Sequence, residues 1–187
     1  FAWIAKIIRK RLVGSVNDPN VETLAPFEID GIALPANVRL TVDPARVGIW
    51  GLSYGGLLTA EALARNSDIF KAGVDLAGVH LEGSSLNPED TSYKSSAISE
   101  IDNWKSPVLL FQGDDDRNVN FAQMVGLVQL LRAHNIYYEL TVFPNDVHET
   151  LLHSRWLYTF DRVELFLNKY LLGENTSQGI KPLQSVA

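Results

Sequence analysis

Residues 46–65 read Arg-Val-Gly-Ile-Trp-Gly-Leu-Ser-Tyr-Gly-Gly-Leu-Leu-Thr-Ala-Glu-Ala-Leu-Ala-Arg, and the way this stretch folds decides the fold of the chain. Val47–Trp50 is short and apolar, as a buried strand is, whereas from about Gly55 to Arg65 the positions Leu57, Leu58, Ala60, Ala62 and Leu63 take helical spacing. Between the two lies Gly51-Leu52-Ser53-Tyr54-Gly55. A serine at the tip of a sharp strand-to-helix turn needs small neighbours, and Gly51 and Gly55 let the backbone bend and leave the hydroxyl clear. The helix that follows would aim its first-turn amides at that hydroxyl, where they favour developing negative charge. A bare Gly-x-Ser-x-Gly string is a weak signal. The strand before it and the helix after it give it meaning.

Downstream of this turn the alternation continues. Ala72–Val79, Pro107–Phe111 and Tyr137–Phe143 read as strands, and Phe121–Ala133 and Trp156–Leu172 as helices. Residues 80–104, rich in Ser, Asn and Asp, read as a long polar loop with room for one helical turn. Strands alternating with helices predict an α/β fold with a mostly parallel sheet and helices on both faces. Upstream, turn signals at Asn17-Asp18-Pro19-Asn20, Pro26, Asp30-Gly31, Pro35 and Asp43-Pro44 leave room only for short strands such as Phe27–Ile29 and Val38–Val42. Residues 1–12, with four basic and no acidic side chains and with Phe1, Ile4, Ile8 and Leu12 at helical spacing, predict a short basic amphipathic helix packed on the rest of the protein. The expected organisation is a divergent N-terminal segment (1–45), a core (46–173) and a tail (174–187).

Composition narrows the function. The 187 residues carry 16 Lys and Arg against 22 Asp and Glu, a net charge of −6, which argues against nucleic acid as a partner. No apolar run approaches the roughly 20 residues of a membrane span. With no cysteine there is no disulfide, no thiolate metal site and no cysteine nucleophile. The basic residues follow the first apolar stretch, unlike those of a signal peptide. The compartment is not legible.

A serine hydroxyl needs a base to take its proton and an acid to orient that base. In α/β sheets with a serine turn the order along the chain is Ser, then Asp or Glu, then His, on loops after successive strands. Gly113-Asp114-Asp115-Asp116-Arg117-Asn118-Val119 follows the third strand, and Pro144-Asn145-Asp146-Val147-His148-Glu149 the fourth. His134 caps a helix, His80 ends a strand where it could line the site but suits a structural role better, and His153 precedes the last helix, which leaves His148, on the loop after the last strand, as the base. Spacing does not choose among the three aspartates, and they lack the alternating ligands of a calcium loop.

From Val42 to about Leu172 the chain resembles the catalytic domain of the prolyl oligopeptidase family of serine peptidases, in its dipeptidyl-peptidase and acylaminoacyl-peptidase branch. The resemblance rests on Val42-Asp43-Pro44-Ala45-Arg46-Val47-Gly48-Ile49-Trp50-Gly51, on Ser53-Tyr54-Gly55-Gly56 and on Phe70-Lys71-Ala72-Gly73-Val74. It continues through Ser106-Pro107-Val108-Leu109-Leu110-Phe111-Gln112-Gly113 and through Phe143-Pro144 ahead of His148. It implies an α/β-hydrolase fold, with Ser53 as nucleophile, His148 as base and Asp116, three residues after the loop glycine and three before the valine, as the acid. It further implies that the Tyr54 backbone N–H is an oxyanion donor, that Asn118 binds a substrate peptide carbonyl, and that neither metal nor cofactor is needed.

Two departures shape the expectation. Residues 1–45 hold no tyrosine and no His-Gly-Gly-Gly loop to supply the family's second oxyanion donor. The upstream strands of the family's sheet and its β-propeller also lack counterparts. The chain therefore reads as the C-terminal part of the catalytic domain. Val47–Trp50 would then be a bare edge, covered by residues 13–45, by self-association, or by an N-terminal propeller domain. The expected function is hydrolysis of peptide bonds in short peptides through an acyl-enzyme. The alternatives are a carboxylesterase with the same triad and a catalytically incompetent interaction domain.

Overall fold

The computed structural model describes residues 28–29, 32–33, 43–81 and 87–173. The chain divides into two compact units. In one, residues 8–44, strands β1 (Glu28–Ile29) and β2 (Ile32–Ala33) pair antiparallel. The other carries the sheet. After a 3₁₀ turn at Pro44–Arg46 come β3 (Val47–Leu52), α1 (Tyr54–Arg65), β4 (Phe70–Leu76), α2 (Thr91–Lys94) and a 3₁₀ segment at Ala97–Asn103. Then follow β5 (Val108–Gly113), α3 (Ala122–Ala133), β6 (Tyr138–Phe143) and α4 (His153–Leu167), which passes into a π-helical turn at Asn168–Leu172. Gly173, at φ 68°, ends it as helix C-termini commonly end, in the left-handed conformation.

Strands β3, β4, β5 and β6 lie side by side in that order, all parallel. Parallel neighbours require crossovers, and the helices between them supply these. All six residues of β5 are buried, because both faces of the sheet are covered. Val108 and Leu110 face Leu63 of α1, Met124 and Leu131 of α3, and Trp104. Leu109 and Phe111 face Val163, Phe166 and Leu167 of α4. Replacing Leu110 with alanine in such a core costs roughly 2–5 kcal/mol. On β4, a Cβ at Gly73 would overlap Leu63, so this face of the strand lies hard against α1. Asp75, two residues on, shares that face.

Several elements differ from the expectation. Strand β3 runs on to Leu52, so Ser53 follows it directly. Strand β4 begins at Phe70 and stops at Leu76, short of Val79, because Ala77 takes φ 49° and turns the chain. The polar stretch 80–104 holds, besides the single helical turn of α2 that it had room for, a 3₁₀ segment that buries Ile98 and Ile101. Helix α4 begins at His153, so that histidine lies on the helix and is exposed. The expected N-terminal basic helix, the strand at Val38–Val42 and the tail lie outside the described residues. Among the described residues β3 pairs with β4 alone, and no helix is long and apolar enough to cross a membrane.

Candidate active site

Ser53 stands between β3 and α1 at φ 58°, ψ −117°, a backbone position that costs a non-glycine residue of order 1–3 kcal/mol and persists only when its surroundings enforce it. The surroundings here are specific. The Ser53 amide donates to Leu76 O of the neighbouring strand (2.8 Å), and the Ser53 carbonyl accepts from Leu57 N (3.1 Å). A Cβ at Gly51 would overlap the Gly55 carbonyl, so the turn closes only around a glycine there. Gly55 differs from the expectation: nothing lies within 4 Å of where its Cβ would be. After the serine, the sterically required glycine is Gly56, where a Cβ would overlap the Asp75 carboxylate. Tyr54 opens α1, which puts its amide among the first-turn donors that no intrahelical carbonyl satisfies, while its side chain is exposed.

Two loops meet this turn. His148 Nε2 lies 2.7 Å from Ser53 Oγ, and its Nδ1 lies 2.8 Å from Asp116 Oδ2. Asp116 Oδ1 accepts the amides of Asn118 (2.9 Å) and Val119 (2.8 Å), and Oδ2 also accepts Gln112 Nε2 (3.2 Å). Burial alone would push this carboxyl up, but the hydrogen bonds from His148, Val119, Asn118 and Gln112 together hold it below the usual carboxylate range. A carboxylate surrounded by donors can only accept. The His148 proton therefore sits on Nδ1, and Nε2 is free to take the proton of the serine.

The three adjacent aspartates have three different partners. Asp115 is exposed and pairs with Arg117 at 3.2 Å, and Asp114 accepts the Asn145 amide at 2.6 Å. Only Asp116 reaches His148. Asn118 is exposed on the same loop. His134 ends α3, 3.2 Å from Asp102, and His80 is buried.

The aspartate and histidine loops are locked to each other. Asp115 N donates to Asp146 O (3.0 Å), and a Cβ at Gly113 would overlap that carbonyl. From α4, Arg155 pairs with the Asp146 carboxylate, donates to Pro144 O (3.1 Å) and lies 5.5 Å over the Phe143 ring. Trp156 Nε1 donates to Thr150 O (2.9 Å). Sequence reasoning missed Gln112, Arg155 and Trp156. Gln112 has a signal, since a buried polar residue beside the loop glycine needs a partner in that loop. The other two reach back from α4 with no local mark.

Comparison with known proteins identifies the family and the fold. Residues 33–174 match the model of the prolyl oligopeptidase family. A Schizosaccharomyces pombe protein named as a dipeptidyl aminopeptidase is 30% identical over 156 residues, which cover 75% of this chain and 19% of that one. The crystal structure of Porphyromonas gingivalis dipeptidyl peptidase 4 superposes with a TM-score of 0.64 at 28% identity, over 70% of this chain and 20% of that one. Pyrococcus horikoshii acylaminoacyl peptidase, at 24% identity and TM-score 0.61 over 74% and 26% of the two chains, shares the fold. The chain spans about a fifth of the length of the curated relatives it matches.

Proposed function

The chain belongs to the prolyl oligopeptidase family, and from that premise we propose that it carries the reacting groups of a serine peptidase for short peptides. The observation that carries the reading is the unbroken path from Ser53 Oγ through His148 to Asp116, with contacts of 2.7 and 2.8 Å. Ser53 attacks the scissile carbonyl as His148 Nε2 takes its proton, and Asp116 stabilises the imidazolium without taking the proton itself. The oxyanion meets the Tyr54 amide at the start of α1, where the helix dipole adds to the hydrogen bond. Collapse of the intermediate passes the proton from His148 to the leaving amine and leaves Ser53 acylated. Water activated by the same imidazole then releases the acid and restores the serine. Asn118, exposed beside Asp116, donates to a peptide carbonyl of the bound substrate.

The same three groups would cleave an ester, so substrate class is settled by turnover. The chain is assayed on a chromogenic peptide amide and on a simple ester, with Ser53→Ala as control. Amide hydrolysis lost in the variant supports the peptidase. Turnover of the ester alone would make it a carboxylesterase, and turnover of neither would leave a domain without catalysis.

A further inference from the structure

A second aspartate–histidine pair lies beneath the serine turn, and the proposed chemistry does not use it. Asp75 stands level with Gly51 in the β3–β4 ladder and on the face of β4 that meets α1. The Asp75 and His80 side chains are 0% and 1% exposed, and Asp75 Oδ2 lies 3.5 Å from His80 Nε2. Neither of these atoms, nor His80 Nδ1, has a hydrogen-bond partner among the described residues. Asp75 Oδ1 accepts the Gly78 amide at 3.0 Å, which the left-handed Ala77 turns back toward it. The same oxygen occupies the space that a side chain at Gly56 or Gly78 would need. The carboxyl thus touches the first turn of α1, three residues beyond Ser53. The far end of this loop is tied to α3: Gln123 Oε1 accepts the amides of His80 (3.1 Å) and Leu81 (2.9 Å).

Among the described residues, the elements packed around the pair bring it no compensating charge. Strands β3 and β5 contain no ionisable side chain. On α1, Tyr54 is exposed and Glu61 pairs with Arg65, which also meets Glu100 of the 3₁₀ segment at 3.5 Å. The first turn of α3 has no acidic residue.

Resting on the assignment of Ser53 above, we infer that Asp75 and His80 are positioning residues that share one proton as a neutral acid and a neutral imidazole, bracing the first turn of α1 and keeping net charge from beneath its oxyanion donors. Burial disfavours both charged forms, and it pushes Asp75 up to about 7 and His80 down to about 3. Above neutrality the carboxyl ionises. Its negative charge then lies under amides that must stabilise a second one, in a medium where such repulsion is poorly screened.

Proton linkage gives a test that needs no turnover. Between about pH 4 and 6.5 the pair holds one proton in the folded state, on Asp75, and one in the unfolded state, on His80. It therefore adds no pH dependence to wild-type stability. In Asp75→Asn the unfolded state alone binds that proton, so its unfolding constant should fall with pH, relative to wild type, by up to tenfold per unit. In His80→Gln the folded state alone binds it, and the unfolding constant should rise with pH by up to the same factor. Denaturant titrations of the 187-residue chain from pH 4 to 6.5 read these slopes, and parallel slopes for the three proteins would overturn the shared proton. If Asp75→Asn does not fold, the wild-type His80 ring read by NMR serves instead. It should stay neutral down to about pH 4, and protonation near 6.5 would overturn the inference.

The positioning role is read from the rate at which a fluorophosphonate labels Ser53 between pH 6 and 9. The ratio of Asp75→Asn to wild type should rise severalfold across that range, whereas a constant ratio would contradict an electrostatic role. A wild-type chain unlabelled at every pH would instead remove the Ser53 assignment, and this inference with it.

Discussion

Two aspartate–histidine pairs stand near the C-terminal ends of the strands, and they differ in how their carboxyls are surrounded. Asp116 receives hydrogen bonds from His148, two backbone amides and Gln112, and its pKa is lowered although the side chain is buried. Asp75 receives one amide, faces a histidine at 3.5 Å, and its pKa is raised to about 7. The residue types are the same. Burial drives both carboxyls toward neutrality, and the number of donors that meet each one decides whether burial wins. One site is thereby suited to hold a charge for a histidine that gains and loses a proton, and the other to hold a proton and stay neutral.

The sharpest way to break this contrast is to remove the group that only one pair serves. Ser53→Ala should lower turnover by about 10⁶-fold while leaving the denaturation midpoint nearly in place, since the hydroxyl packs against little. Activity at a percent of wild type would end the assignment of the first pair.

Next in size is the acid itself. Asp116→Asn should cost about 10³–10⁴-fold in rate by stabilising the wrong imidazole tautomer, while Asp114→Asn and Asp115→Asn stay within about tenfold. The lowered pKa of Asp116 also has a sign in stability. Its contribution is present above the unfolded carboxylate pKa and is lost as pH falls through the folded one, so wild type and Asp116→Asn should converge on acidification. Equal loss of rate at Asp115 would move the acid along the loop and undo the comparison.

Smaller effects test how the first pair is held. Gly113→Ala pushes a methyl into the Asp146 carbonyl, which is backbone and yields little, and should cost about 1–3 kcal/mol in denaturant unfolding. Arg155→Ala leaves the Asp146 carboxylate nearly buried with its ion pair gone and should cost about 1–2 kcal/mol, with a loss of rate below tenfold. If Arg155→Ala instead cost as much rate as Asp116→Asn, Arg155 would belong to the reacting groups.

Legibility in the sequence followed how local each constraint is. The strand, serine turn and helix from Val47 to Arg65 are written in adjacent residues, and the parallel sheet follows from strands that alternate with helices, whereas the order of its strands does not. The two loops that meet Ser53 were legible because each follows a strand, but only the family resemblance singled out Asp116 from Asp114 and Asp115. The 3₁₀ segment was hidden. Its buried Ile98 and Ile101, with Trp104 just past its end, recur every third position, the period of a 3₁₀ helix, and lie among polar residues that mask a helical pattern. Gly56, on α1, owes its requirement to a carboxylate on β4, and Arg155 acts through contacts made back across a loop, so neither requirement can be read from neighbouring residues. His80 read as a structural histidine because nothing in its position showed a buried carboxyl facing it.

The central claim is that Ser53, His148 and Asp116 act as one unit, and covalent labelling tests it most directly. The 187-residue chain is treated with a fluorophosphonate, digested, and mapped by mass spectrometry beside its His148→Ala and Asp116→Asn variants. A single adduct on Ser53, slowed by orders of magnitude in both variants while folding is retained, is the predicted result. An adduct on another residue, or Ser53 labelling that is as fast without His148 and Asp116 as with them, would contradict the account.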